Sequence, residues 1–109
     1  MLRVGSVVIT VADVERAASF WKSALGYVSD PGNVAFLRSK GDGPRLHLDE
    51  TDTMHLDLWA DDQDEQRAEV ERLVALGAER VEWDYPEGAD FVVLADPEGN
   101  LFCVIDASR

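Results

Sequence analysis

The stretch Ser6-Val-Val-Ile-Thr-Val-Ala-Asp13 is the strongest indicator of the fold, because the chain repeats its pattern at His55-Leu-Asp-Leu-Trp-Ala-Asp-Asp62. The two stretches lie 49 residues apart. In each of them alternating apolar residues predict a strand, and the closing aspartate favours the N-cap of a helix. The repeat therefore predicts a pseudo-symmetric protein built from two copies of one strand-helix-strands unit.

Each predicted strand leads into an amphipathic helix that ends at a Leu-Gly pair. The first helix is predicted over Val14 to Leu25, and the second begins after Asp61 or Asp62 and ends near Leu76. Apolar residues at helical spacing predict the buried faces. They are Ala17, Phe20, Trp21, Ala24 and Leu25 in the first helix, and Val70, Leu73, Val74 and Leu76 in the second.

Short apolar runs after each helix predict the remaining strands. They are Val34 to Arg38, Arg45 to Asp49, Arg80 to Trp83, Phe91 to Ala95 and Leu101 to Ile105, with a loop around Asp30 to Asn33. Asp96-Pro-Glu-Gly-Asn100 predicts a hairpin turn, since Pro97 presets φ and Gly99 accepts a positive φ. The pattern predicts an α+β fold of two βαβββ modules, about 1–50 and about 54–107, with a curved mixed sheet of up to eight strands.

Strand parity divides the sheet residues between two faces. The face expected to pack on the helices is apolar: Val7, Ile9, Leu46, Leu48, Leu56, Leu58, Phe102 and Val104. The opposite face is polar and mixed: Ser6, Val8, Thr10, Arg45, His47, Asp49, His55, Asp57, Trp59, Leu101, Cys103 and Ile105. We expect the helices on the outside and a cavity enclosed by the polar face, within a single domain over residues 1–109 whose short halves share one core.

Composition limits the possible partners. The 109 residues include 22 acidic and 10 basic side chains, a net charge of −12, which disfavours nucleic acid and anionic membrane surfaces and attracts cationic ligands. No apolar run reaches the roughly 18 residues of a membrane span. The lone Cys103 and an N-terminus without a signal-peptide pattern are typical of a cytoplasmic protein.

Two further motifs carry a family resemblance that covers nearly the whole chain. Ala12-Asp-Val-Glu-Arg-Ala-Ala-Ser-Phe-Trp21 with Leu25-Gly-Tyr27, and Ala95-Asp-Pro-Glu-Gly-Asn-Leu-Phe102, are the stretches concerned. In them the chain resembles the vicinal-oxygen-chelate superfamily, which includes glyoxalase I, extradiol dioxygenases and bleomycin-resistance proteins. It looks most like the short, single-domain glyoxalase-like members.

The resemblance implies positions for a divalent metal ion. In metal-dependent members four side chains hold the ion, usually two histidines and two glutamates, and the matching positions here are Ser6, His47, His55 and Cys103. Serine and cysteine stand where a histidine and a glutamate are usual, and His47 is assigned from the internal repeat alone. His47, His55 and Cys103 would form a set suited to zinc, with nickel or iron as other candidates.

Two functions remain open from the sequence, besides an interaction domain with a vestigial cavity. One is a metal-assisted lyase, isomerase or dioxygenase in which Asp49 or Asp57 is the catalytic base. The other is a non-catalytic protein of the bleomycin-resistance kind that sequesters a cationic or aromatic small molecule. Ser6, Arg45, Trp59 and Trp83 are the candidate ligand-binding residues. A homodimer is expected from the resemblance and the small size of the chain.

Overall fold

A computed structural model describes residues 1–109 and shows an α+β chain of two helices and eight strands. The elements, in chain order, are β1 (Arg3–Thr10), α1 (Val14–Leu25), β2 (Val28–Asp30), β3 (Asn33–Arg38), β4 (Arg45–Asp49), β5 (His55–Ala60), α2 (Gln63–Ala75), β6 (Glu79–Arg80), β7 (Phe91–Ala95) and β8 (Leu101–Asp106). The chain groups into two compact units, Gly5–Met54 and Met1–Val4 with His55–Arg109. None of its helices is long and apolar enough to cross a membrane.

The two units have the same topology. In the first the strand order is β2-β3-β4-β1, and in the second it is β6-β7-β8-β5. In each, the strand before the helix pairs in parallel with the last strand, and the other pairs are antiparallel. The two predicted βαβββ modules are therefore confirmed. A single domain with one shared core and a common cavity stays a prediction.

The first module has its core between α1 and one face of its strands. Asp13 caps the helix by accepting a hydrogen bond from the Arg16 backbone N–H at 3.1 Å, and Gly26 ends it with φ of 72°. The buried cluster is Ala18, Leu37, Leu46 and Leu48, with Val7, Ile9, Val14, Ala17 and Trp21 packed against it. Four of the residues expected on the helix-packed face, Val7, Ile9, Leu46 and Leu48, are confirmed there.

Three residues of the predicted stripe on α1 are exposed: Phe20, Ala24 and Leu25. Phe20 is 61% exposed and Leu25 is 50% exposed, whereas Ala18 is buried. The helix thus presents Val14, Ala17, Ala18 and Trp21 to its sheet. That face is rotated from the predicted one, and small alanines let the helix approach the strands closely.

The second module packs α2 in the same way. Asp62 caps this helix by accepting from the Glu65 N–H at 2.8 Å. Val70, Leu94 and Val104 are buried, with Leu73, Val74 and Phe102 beside them. Leu76 and Leu56 were expected to be buried and are instead exposed, since Leu76 follows the last helical turn and Leu56 lies near the start of its strand.

Two strands differ from the sequence prediction: β2 was not predicted, and the strand predicted over Arg80 to Trp83 extends too far. The segment around Pro31 is the turn of a hairpin between β2 and β3, made possible by Gly32 at φ of 86°. The strand expected up to Trp83 ends at Arg80, and residues 81–90 form a loop. Within that loop the Tyr85 hydroxyl accepts a hydrogen bond from the Val93 N–H at 2.8 Å, replacing a strand partner at the edge of β7.

Candidate metal centre

Three side chains with metal-ligating atoms converge in the second module. His55 and Asp57 lie two residues apart on β5, so they share one face of the strand. The parallel neighbour β8 places Cys103 directly opposite Asp57. One face of two adjacent strands therefore carries an imidazole, a carboxylate and a thiol.

The three groups are close and largely shielded from solvent. One ligand atom from each of His55, Asp57 and Cys103 lies within 4.8 Å of the other two. His55 Nε2 is 3.2 Å from Asp57 Oδ1, and the exposed fractions of these side chains are 11% and 16%. Partial burial strengthens electrostatic interactions while leaving a path for a small ion.

The donor set fits zinc. Zinc binds histidine nitrogen, cysteine sulfur and carboxylate oxygen, and catalytic zinc sites keep three protein ligands and an open position. His55, Asp57 and Cys103 supply one ligand of each kind. This set differs from the predicted one, because it includes Asp57, which the sequence had suggested as a base.

The first module has no equivalent set at the same positions. Its register pairs Val8 with His47 as the second module pairs Asp57 with Cys103, and Ser6 stands where His55 stands. In the first module, the positions of His55, Asp57 and Cys103 are therefore occupied by Ser6, Val8 and His47. An apolar valine and a weakly ligating serine leave His47 as the single good ligand among these three.

His47 has its own surroundings in the first module. Its ring stacks on Phe36, with centroids 4.2 Å apart and an interplanar angle of 15°, and its Nε2 lies 3.7 Å from Asp49 Oδ2. The assignment of His47 as a metal ligand stays a prediction.

Asp49, one of the two predicted bases, is engaged by the loop that follows it. Its Oδ1 accepts hydrogen bonds from the Thr51 N–H at 2.8 Å, the Asp52 N–H at 2.9 Å and the Thr51 hydroxyl at 3.0 Å. The Thr51 N–H, followed by these other donors, lowers the pKa of Asp49 from its usual value. A carboxylate with a lowered pKa is a weaker proton acceptor, which disfavours Asp49 as a catalytic base. The assignment of Asp57 as the base stays a prediction.

The predicted ligand-binding residues are divided between the two modules. Ser6 is buried and pairs in register with Arg45, whose Nη1 lies 3.6 Å from Asp30 Oδ2. In the second module, Arg3 lies over the Trp59 ring, 5.6 Å from its centroid.

Trp83 lies in the loop over residues 81–90 and is 47% exposed. With Val81, Glu82, Asp84 and Tyr85 it lines an open pocket of about 610 Å³. The structure therefore places Trp83 at a surface where a ligand ring could reach it.

The sequence did not suggest Arg38 on β3 as a candidate site residue. Arg38 lies next to Arg45 across β3 and β4, with its Nε 2.5 Å from Asp30 Oδ1. The strand containing Arg38 was predicted, but not its register with β4. Pairing the two strands across the turn at Gly41 to Pro44 would have placed the arginines side by side.

The repeated βαβββ modules define a class of protein, the α+β proteins built from two copies of one strand-helix-strands module. Within it, the family model for the glyoxalase-like domain matches residues 6–105, so the chain belongs to that family. This confirms the resemblance to the vicinal-oxygen-chelate superfamily. No curated protein matches the chain.

Solved structures share the fold at low sequence identity. An NAD-dependent benzaldehyde dehydrogenase from Legionella pneumophila matches with a TM-score of 0.66 and 14% identity, over 92% of this chain and 96% of that one. Methylmalonyl-CoA epimerase from Mycobacterium tuberculosis matches with 0.60 and 19%, over 94% and 85%. A glyoxalase/bleomycin resistance protein/dioxygenase superfamily member from Vibrio splendidus matches with 0.54 and 19%, over 95% and 97%. At these identities the similarity shows a common fold.

Proposed function

We propose that the protein is a metal-dependent, glyoxalase-like enzyme of the lyase or isomerase type that acts on a small molecule. The observation that carries this proposal is the His55, Asp57 and Cys103 cluster, in which three different ligand atoms lie within 4.8 Å of one another. This cluster, on one face of β5 and β8, differs from an exposed acidic patch because its histidine and aspartate side chains are mostly buried.

Each residue of the cluster has a proposed role. His55, Asp57 and Cys103 would hold zinc, and zinc when bound supplies a Lewis acid for a substrate oxygen. Asp57 has two carboxylate oxygens, so one can hold the ion while the other accepts a proton from the substrate. His55 Nε2 lies 3.2 Å from Asp57 Oδ1, so the two side chains are close enough to hold the same ion.

Sequestration without chemistry is the second candidate, and the exposure of Trp83 favours it. Trp83 and Tyr85 present exposed aromatic rings at a shallow surface pocket, and a planar ligand would stack on them there. Trp59 supports this function less, because the Arg3 guanidinium already lies over its ring. A protein that binds aromatic compounds but no metal would favour this second function.

Zinc binding tests the first candidate directly. Protein purified without a tag or chelator should contain metal or bind one equivalent of zinc in a calorimetric titration. His55→Ala, Asp57→Asn and Cys103→Ser should each weaken zinc binding at least about tenfold, as loss of one ligand or its partner does. Asp42→Asn, in the exposed turn before β4, is the matched control and should bind as wild type does. Unchanged zinc binding in all three cluster variants would contradict the proposal.

A homodimer is the proposed assembly. Phe20 and Leu25 on α1 are large apolar side chains left exposed, and burial of their surface between two chains would stabilise a dimer. Light scattering should give twice the mass of one chain at micromolar concentration. Phe20→Glu should convert the protein to monomer, and a monomeric wild type would contradict this assembly.

A further inference from the structure

A second charged cluster lies in the first module, on the face of the sheet opposite α1. β3 and β4 are antiparallel, and their register pairs Phe36 with His47 and Leu37 with Leu46. The next pair in this register joins Arg38 to Arg45. Residues paired across antiparallel strands lie on the same face, so the two guanidinium groups are neighbours.

One carboxylate lies against both arginines. Arg38 Nε is 2.5 Å from Asp30 Oδ1, and Arg45 Nη1 is 3.6 Å from Asp30 Oδ2. The buried Arg38 Nε–H nevertheless makes no well-directed hydrogen bond, so the close contact with Asp30 is an ion pair of poor geometry. Arg38, Arg45 and Asp30 together carry a charge of +1, in a chain whose net charge is −12.

Arg38 also keeps donors that the protein does not use. Its only close acidic partner is Asp30, which lies at Nε, and the side chain is 43% exposed. The fork of its two Nη groups is therefore available to a ligand. A guanidinium fork matches the geometry of a carboxylate and binds it through two parallel hydrogen bonds.

A planar surface lies beside the arginines. Phe36 and His47 are each two residues from an arginine on the same strand face, a distance of roughly 6.6 Å along the strand. Their rings stack at 4.2 Å. A ligand held by its carboxylate at Arg38 would lay an apolar or aromatic body against this pair.

We propose that Arg38 and Arg45 bind the carboxylate of a small organic ligand whose body packs on Phe36 and His47. The ligand would be an aromatic or apolar carboxylic acid. That such an acid is the substrate rests on the proposed function. The proposal has one counterintuitive consequence, namely that a strongly acidic protein has a specific site for an anion. Asp30 lowers the affinity of this site, because its charge opposes that of the ligand.

Calorimetric titration of metal-free protein with benzoate, acetate and inorganic phosphate tests the site. Benzoate should bind more tightly than acetate, because only benzoate has a ring for Phe36 and His47. Arg38→Gln should weaken benzoate binding at least about tenfold, since hydrogen bonds to charged groups are lost. Arg72→Gln on α2 removes an exposed arginine paired with Glu69 and should leave benzoate binding unchanged. If Arg38→Gln does not fold, Arg38→Lys keeps the charge, loses the fork and should still bind more weakly than wild type.

Asp30→Asn supplies a test that a purely structural cluster would fail. Local charge rises from +1 to +2, so benzoate should bind several-fold more tightly in this variant. Weaker benzoate binding in Asp30→Asn, equal effects of Arg38→Gln and Arg72→Gln, or tighter binding of phosphate than of benzoate would each overturn the proposal. Zinc titration separates the two proposals: a protein that binds zinc but not benzoate contradicts this site alone, and one that binds benzoate but not zinc contradicts the metal function alone.

Discussion

At the scale of single residues, one substitution pattern distinguishes the modules. The second module has His55, Asp57 and Cys103 where the first has Ser6, Val8 and His47, although both trios occupy equivalent registers. Equivalent strand positions thus carry a potential metal site in one copy and a serine-valine-histidine set in the other. The two modules therefore differ in chemistry only through the side chains that they carry at equivalent positions of the fold.

Replacing His55 tests whether this trio is functional. His55→Ala should abolish the rise in melting temperature caused by zinc, because one of three ligands is lost. Unliganded stability should fall by only about 1 kcal/mol, the value of one hydrogen-bonded contact such as that to Asp57. Thermal melts with and without zinc measure both quantities. A large loss of unliganded stability together with a normal zinc response would make His55 a structural residue.

Some of the candidate site residues could be predicted from the sequence and others could not. Parity placed His55, Asp57 and Cys103 on one face, and the internal repeat located His47, because alternation in a strand is a local property. The role of Asp57 as a partner of Cys103 could not be predicted, since it depends on the register between β5 and β8. Arg38 was missed for the same reason, because its neighbour Arg45 is brought to it by strand pairing.

At the scale of elements, a buried polar side chain joins α2 to its sheet. Gln66 of α2 is buried, and its Nε2 donates to the backbone carbonyls of Asp90 and Val104, both at 2.9 Å. Helical periodicity did not suggest a buried glutamine, because a polar residue is normally assigned to the outer face. The two hydrogen bonds explain its burial, since they satisfy carbonyls of the loop and of β8.

Replacing this glutamine should destabilise the second module. Gln66→Leu keeps the volume but removes both hydrogen bonds, which should cost about 1–3 kcal/mol of unfolding free energy. The Asp90 carbonyl keeps its other hydrogen bond, from the Asp106 N–H at 2.8 Å. Urea unfolding measures the loss. Gln63→Leu, at the exposed start of the same helix, should change stability by less than about 0.5 kcal/mol. Equal effects of the two substitutions would show that the Gln66 hydrogen bonds do not stabilise the protein.

The end of α1 gives a second test at this scale. Gly26 has φ of 72°, and a Cβ built there would have no neighbour within 4 Å. Gly26→Ala should therefore cost about 1–2 kcal/mol through left-handed backbone strain alone. Gly41→Ala is the control, because that glycine does not have a positive φ and its Cβ would meet only Ser39 Oγ at 3.9 Å. Equal urea midpoints for the two variants would contradict this account of the helix end.

At the scale of the whole molecule, the acidic composition couples stability to pH. Hydrogen bonds from Asn100 lower the pKa of Asp96, those from Ser108 lower the pKa of Asp106, and those of the Thr51 loop lower that of Asp49. Groups with a lowered folded-state pKa stabilise the protein above their unfolded pKa and lose that contribution as pH falls through the folded value. The three aspartates should together make the protein sensitive to acid.

Urea unfolding at a series of pH values checks this coupling. The contribution of these three aspartates to the unfolding free energy should be nearly constant above pH 3.8, the ordinary pKa of aspartate. It should decrease as the pH is lowered further. Asp96→Asn keeps an acceptor in the hairpin but cannot titrate, so its stability should fall less steeply with acid than that of wild type. Parallel curves for wild type and Asp96→Asn would show that Asp96 does not contribute.

The fold at this scale was the most predictable part of the protein. The repeat, the helix caps at Asp13 and Asp62 and the turn at Asp96 to Asn100 are local signals, and each one is present in the structure. The exposed Phe20 and Leu76 were less predictable. Burial of a helix residue depends on how the helix is rotated against its sheet, and helical spacing alone does not specify that rotation.

Cobalt titration of metal-free protein is the sharpest test of a metal centre at His55, Asp57 and Cys103, because a thiolate-to-cobalt charge-transfer band reports a cysteine ligand without any assay of activity. The account predicts one equivalent of cobalt, a band that Cys103→Ser removes, and weaker binding in His55→Ala and Asp57→Asn. It also predicts that zinc displaces the cobalt and abolishes the band. Absence of a thiolate band in wild type, or a band that persists unchanged in both His55→Ala and Asp57→Asn, would contradict a metal centre built from these three residues.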